Sequence, residues 1–294
     1  MVGAKPAVAT DVEMATTTWK QRRIRMLYAL IIGYCLLVLL VAVFQRRQLY
    51  FPSRLPPELA ERTATAEGFV PWRNQAGQII GWKMPANGLP TGSVLVVHGN
   101  GGNALGRGYI AKSIHAAGTF DVYVLEYPGY GARGGSPSLK SFLAAGDEAF
   151  ELLPAALPAF VVGESLGTGV AAHLARKYPT KVAGLVLLVP YDDLGSVAQN
   201  QMPFLPARWL LRDHFRPSAW LTHYRGPIKV AVAENDRVIP ARFGHRLYEA
   251  YAGPKQLQVF SGAGHNEVAE QSPEWWREVF AFWSANRPVG KTPE

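Results

Sequence analysis

Three residues far apart in the chain have the types needed for one reaction: Ser165, Asp236 and His265. Ser165 stands in Gly163-Glu164-Ser165-Leu166-Gly167, directly after an apolar run, Phe160 to Val162, and before a helix-like stretch, Val170 to Tyr178. Glycines two residues either side of a serine, between a strand and a helix, suit a very sharp turn with the hydroxyl at its tip. Side chains at Gly163 and Gly167 would collide with the strand and helix packed around such a turn, whose backbone is strained at the serine. The five-residue pattern also arises by chance in glycine-serine turns, so its meaning rests on its partners. A serine hydroxyl is a poor nucleophile at neutral pH. It needs a base to take its proton, and the base needs an acid to hold its tautomer.

Of the seven histidines, His265 is the candidate base, because it lies in Gly262-Ala263-Gly264-His265 just after the last strand-like run. His173 falls in the helix after the serine and reads as structural; His115, His214, His223 and His245 read as surface or packing residues. Asp236 opens Asp236-Arg237-Val238-Ile239-Pro240, which places a carboxylate at a strand end before a helix. Asp192, Asp193 and Glu234 compete with it for the role of acid. A tetrahedral intermediate also needs backbone donors aimed at its oxyanion. Leu166 supplies one, directly after the serine. The second is assigned to Asn100 in His98-Gly99-Asn100-Gly101-Gly102-Asn103, with Gly101 as the alternative. That glycine-rich loop lacks the Gly-Lys-Ser/Thr and Gly-x-Gly-x-x-Gly patterns of phosphate binders.

The elements that must position these residues alternate. Strand patterns at 69–72 and 78–84 flank a turn at 74–77, and further strands are predicted at 93–97, 121–125, 159–162, 185–189, 228–233 and 256–260. Helical stretches fall between them, including 139–153, 241–251 and about 274–285. Such alternation means an α/β fold with a mainly parallel sheet and helices on both faces. In such sheets reactive groups gather at the carboxyl ends of the strands, where each candidate above falls. Residues 191–227 are read as a small cap rich in apolar side chains, among them Phe204, Trp209, Phe215 and Trp220. Most of these suit helices packing on the sheet; the remainder suit the lining of an acyl pocket.

The chain of 294 residues carries a net charge of +8, but unevenly. Residues 1–54 hold eight basic side chains against Asp11 and Glu13, whereas the other 240 are nearly balanced. A nucleic-acid face is therefore excluded as the source of the basicity. The single cysteine, Cys35, permits neither an intrachain disulfide nor a cysteine metal cluster. Met26 to Phe44 is 19 residues without a charge, about 28 Å of helix, bracketed by Lys20 to Arg25 and by Arg46-Arg47. The run is longer than the apolar part of a signal peptide and ends in a poor cleavage site, so it reads as a transmembrane helix that holds the protein on a lipid bilayer. Four close basic residues precede it and three follow, which favours a cytoplasmic N-terminus and a translocated catalytic domain by one charge. The organisation read from the sequence is a basic segment at 1–25, the span at 26–44, an irregular linker at 45–67 with Pro52, Pro56 and Pro57, a domain at 68–287 and a tail at 288–294.

Together these stretches resemble the α/β-hydrolase superfamily, and more narrowly the membrane-anchored Bem46-type hydrolases related to the α/β-hydrolase-domain proteins 12, 13 and 17. The resemblance rests on Val97–Asn103, Glu126–Gly131 with Gly135-Ser136-Pro137-Ser138, Gly163–Gly167, Asp236–Pro240 and Gly264–Glu267, and it covers about residues 48–285. It implies an eight-stranded, mostly parallel sheet and serine-dependent hydrolysis of an ester or acyl substrate without metal or cofactor. Glu164 departs from the basic or small residue that the resemblance leads one to expect, and a carboxylate beside the serine would disfavour anionic substrates. An amidase or peptidase on the same three residues, and a silent binding protein, are the competing readings. Degenerate members usually lose a triad residue, and none is missing here.

Overall fold

A computed structural model describes residues 8–286. The expected tail at 288–294 and the first seven residues of the basic segment lie outside them. The described chain divides into two units, one up to Gln45 and one from Arg46 onward. The first is helical and belongs to α1, Val8–Leu49. From Gln21 to Leu49 this helix is long and apolar enough to cross a membrane, and none of that stretch is buried. Leu30, Ile31 and Ile32, consecutive and therefore spread around the axis, are all exposed. A helix meant to face water on one side keeps a polar stripe, and this one has none there.

The second unit is built on eight strands: β1 (Val70–Arg73), β2 (Ile79–Met84), β3 (Gly92–Val97), β4 (Phe120–Leu125), β5 (Ala159–Glu164), β6 (Val182–Leu188), β7 (Ile228–Ala233) and β8 (Lys255–Phe260). Their order across the sheet is β1-β2-β4-β3-β5-β6-β7-β8. β2 runs antiparallel to both β1 and β4, and the other neighbours are parallel. β3, β4 and β5 are buried at every position, as continuous apolar runs must be when helices cover both faces. One core, under α2 (Pro57–Ala66), α3 (Gly108–Ala117) and α10 (Pro273–Asn286), contains Val96, Ile110 and Trp276. The other, under α4 (Leu139–Glu151), α5 (Gly167–Lys177) and α9 (Ala241–Ala250), contains Phe142, Val170 and Leu247.

Register then decides what meets at the carboxyl ends. Val97 of β3 pairs with Gly163 of β5, so the loop at 98–102 leaves the sheet beside Ser165. Ala233 of β7 pairs with Phe260 of β8, so Asp236 and His265 follow strands that end level with one another.

Residues 45–67 are more ordered than a linker. Phe51 and Pro52 pair in parallel with Gly101 and Gly102, and α2 begins at Pro57. Proline at a helix start lacks only an N–H that would be unpaired anyway, so Pro56-Pro57 opens a helix where the sequence suggested a break. Ala60 and Ala64 then bury one face of α2. The 191–227 excursion holds α6 (Leu194–Gln201), α7 (Ala207–Leu210) and α8 (Pro217–Leu221). Its apolar residues divide: Phe215 and Leu221 join the core, whereas Phe204 is 89% and Trp209 86% exposed.

Candidate active site

β5 ends at Glu164 and α5 starts at Gly167, so two residues turn the chain. Ser165 adopts φ 51°, a left-handed backbone that costs about 1–3 kcal/mol and persists only where the surroundings enforce it. The enforcement is visible. The Ser165 N–H donates to the Leu188 carbonyl at 2.9 Å, and the Ser165 carbonyl accepts from the Thr168 amide at 2.9 Å and hydroxyl at 2.7 Å. A Cβ at Gly163 would lie 2.8 Å from the Thr168 Cα, and one at Gly167 only 2.1 Å from the Val97 carbonyl oxygen. The two glycines thus let strand, turn and helix close on each other. A second strained residue, Val189 at φ 46°, follows β6 beside this turn; nothing in the sequence marked it.

The structure brings Ser165, His265 and Asp236 together. The His265 Nε2 lies 3.0 Å from the Ser165 Oγ, and its Nδ1 lies 2.6 Å from the Asp236 Oδ2. The other oxygen of Asp236 accepts the amides of Val238 at 2.8 Å and Ile239 at 2.7 Å. That turn explains the Asp-x-x-Ile-Pro shape: the carboxylate is locked by its own loop before it meets the imidazole. With Nδ1–H donated to a buried carboxylate, Nε2 carries the lone pair and can accept the serine proton.

The competing acids and bases are engaged elsewhere. Asp192 pairs with Arg246 at 2.8 Å. Asp193 caps α6 by accepting the Ser196 amide at 2.9 Å. Glu234 accepts the Ser261 hydroxyl at 2.7 Å and the Gly262 amide at 2.9 Å. His173 meets Asp147 at 2.9 Å, and burial lowers its pKa despite that carboxylate.

Leu166 and Asn100 flank the serine. Gly99 is the point of closest approach, since a Cβ there would lie 3.3 Å from the Ser165 Cβ. The Asn100 carbonyl accepts the Phe51 amide at 2.9 Å and the Tyr130 hydroxyl at 2.7 Å, and its Nδ2 donates to the Leu49 carbonyl at 2.8 Å. Among the described residues, neither the Asn100 nor the Leu166 amide donates to another protein group.

Glu164 does not face substrate as its sequence position suggested. Its side chain is 9% exposed and is gripped by Arg107, Nε to Oε2 at 2.7 Å and Nη2 to Oε1 at 3.2 Å. Burial works against the charge on Arg107, but Glu164 more than restores it, and the guanidinium pKa is raised. Arg107 also fills the space beside Gly102, where a Cβ would come 2.6 Å from its Nη1. Sequence reasoning missed Arg107. The available signal was Glu164 itself, a carboxylate in an apolar strand that needs a cation.

A family model described as the alpha/beta hydrolase fold matches residues 92–216. An uncharacterized protein of Mycobacterium tuberculosis, Rv2307c, is 36% identical over 232 residues, which cover 76% of this chain and 81% of that protein. Lysophosphatidylserine lipase ABHD12 of Mus musculus is 27% identical over 248 residues, 74% of this chain and 62% of the relative. Among solved structures, the Paleococcus ferrophilus monoacylglycerol lipase has a TM-score of 0.53 at 22% identity, covering 69% of this chain and 97% of that one. Est1E from Butyrivibrio proteoclasticus gives 0.57 at 13% identity, over 74% and 100% of the two chains. The chain belongs to the α/β-hydrolase family. Lipases are among the proteins it is similar to in sequence, and lipases and esterases among those it is similar to in fold.

Proposed function

We propose that this protein is a membrane-anchored serine hydrolase that cleaves carboxylic esters, lipid-like ones included, through an acyl-enzyme intermediate. The observation that carries the reading is the unbroken relay from Ser165 Oγ through His265 to Asp236, with distances of 3.0 and 2.6 Å. In the first half-reaction Oγ attacks the ester carbonyl, its proton passes to His265 Nε2, and the carbonyl electrons move to oxygen beside the Asn100 and Leu166 amides. The C–O bond then breaks as His265 returns the proton to the departing alcohol. In the second half-reaction water repeats the sequence against the acyl-serine and releases the acid. Two further observations favour a substrate drawn from lipid: the apolar stretch of α1 and the exposed Phe204 and Trp209 of the cap. The relatives named as lipases support the same choice. The charge balance of the flanks supports a cytoplasmic N-terminus with the catalytic domain across the bilayer.

The test uses full-length protein in detergent with a fluorophosphonate probe and p-nitrophenyl esters of increasing chain length. Labelling of the native protein, its loss in Ser165→Ala and turnover of the esters are the expected results. An unlabelled native protein sinks the hydrolase reading, and labelling that survives in Ser165→Ala sinks the nucleophile.

A further inference from the structure

The last turn of α1 and the segment that follows it do more than connect. Arg46 grips Asp213 of the cap through two hydrogen bonds, Nε to Oδ2 at 2.9 Å and Nη2 to Oδ1 at 3.1 Å, and the Tyr50 hydroxyl joins the same carboxylate at 3.1 Å. Just beyond, the chain lies along the glycine-rich loop. Asn100 Nδ2 donates to the Leu49 carbonyl at 2.8 Å, Phe51 N–H to the Asn100 carbonyl at 2.9 Å, and Ser53 N–H to the Gly102 carbonyl at 2.8 Å. The pairing continues onto the second glycine-rich motif, where Gly131 N–H donates to the Ser53 carbonyl at 3.0 Å and Leu55 N–H to the Gly131 carbonyl at 2.9 Å.

An isolated loop built from Gly99, Gly101 and Gly102 has great conformational freedom and no reason to hold one peptide plane. Yet an oxyanion donor works only if its N–H is already aimed when charge develops. The Asn100 N–H lies in the Gly99–Asn100 peptide, whose carbonyl is 2.9 Å from the His98 Nδ1. On its far side the Asn100 carbonyl is fixed by two donors and its side chain by an acceptor, and of these three bonds all but that of Tyr130 come from residues 49–51, which hold the donor residue by its carbonyl and side chain. We propose that residues 46–53 are a positioning strap for the oxyanion hole, so that the stretch joining anchor to domain sets the catalytic rate. The proposal rests on the hydrolase reading above and adds a role for residues that never touch substrate.

Phe51→Pro and Ser53→Pro each delete one donor N–H of the strap, and both side chains are exposed, so little packing is lost. Asn100→Ala removes the Leu49 contact while keeping the backbone amide. All are made in the full-length chain and compared with native protein for kcat, KM, thermal midpoint and affinity for a trifluoromethyl ketone. The serine oxygen adds to the ketone carbonyl, gives its proton to the histidine and leaves a negative oxygen where the oxyanion forms, so the affinity includes the stabilisation that the hole supplies. The expected result is a fall in kcat of about ten-fold to a hundred-fold, matched by the fall in ketone affinity, with KM within about two-fold. Ala60→Gly, which weakens α2 away from the strap, keeps native kcat at a similar loss of midpoint. Native kcat in the strap variants overturns the proposal, as does an equal loss in Ala60→Gly. Should a proline variant fail to fold, Asn100→Ala carries the same comparison. Absence of turnover and labelling in the native chain is a different result, which removes the hydrolase reading itself.

Discussion

The carboxylate of Asp236 is used on both sides. One oxygen takes two amides from its own loop, and the other takes the imidazole. This division of labour makes Asp236→Asn an informative change. The amide oxygen can keep the two loop bonds, so the fold should stay within about 0.5 kcal/mol of native, as a change that spares packing does. The amide nitrogen, however, now faces the imidazole and forces the tautomer that carries its proton toward Ser165. kcat is expected to fall by about 10⁴, as it does when a triad acid loses only its charge. Steady-state turnover with a denaturant melt checks both halves, and a drop of under about ten-fold would remove Asp236 from the relay. At the same scale the Arg107–Glu164 pair has another use than charge selection. It ties the residue before Ser165 to the short turn that follows the glycine-rich loop, and it spares the apolar strand β5 an uncompensated carboxylate.

Helix α5 carries the turn at its first residue and a titratable group within it. Burial holds the His173 pKa below its ordinary value of 6.5, although Asp147 is 2.9 Å away. The folded protein therefore resists protonating His173 more than the unfolded chain does. The contribution to stability is complete above pH 6.5 and is lost as pH falls through the lower folded value. Denaturant midpoints are expected to decline as pH is lowered below about 6.5, and His173→Gln to flatten part of that decline. An unchanged profile in the variant would show that other groups govern acid stability. Elements also differ in how much of them the sequence reveals. The turn at Ser165 is legible because its glycines answer a steric demand that few other arrangements make. The meeting of Asp236 and His265 with Ser165 is legible because each follows a strand and precedes a helix or loop in the order that a proposed acid and base require. The strap is not, because two-residue strands such as Phe51–Pro52 have no periodicity and their partners are about fifty residues away in the chain. α2 was obscured by the double meaning of proline, which ends helices and also begins them. Val189 illustrates a third kind of silence: its left-handed backbone is imposed by the sheet around it, against its own preference.

Across the whole molecule the two cores are joined through the sheet, and large aromatic side chains set their thickness. Trp283 of α10 stacks on Phe160 of β5 with centroids 4.4 Å apart and fits only because residue 184 is glycine, where a Cβ would come 2.5 Å from the indole. The interior of the sheet, which holds the serine, is therefore wedged firmly from that face. The histidine is mounted differently. β8 lies at the sheet edge, pairs with β7, and is half-buried or exposed along its whole length, and His265 follows five residues after its end. Edge elements of this kind open at a smaller free-energy cost than the strands they border. Ser165 and His265, the proposed nucleophile and base, thus sit on parts of the fold with unequal thermal endurance. Warming should disconnect them while most of the protein is still native. Ester turnover is expected to vanish several degrees before the far-ultraviolet signal melts, with amide hydrogens of β8 exchanging well ahead of those of β5; coincident curves would refute it. The enzyme would then carry a heat-sensitive fuse, one that restores itself on cooling because β8 needs only to dock again on β7.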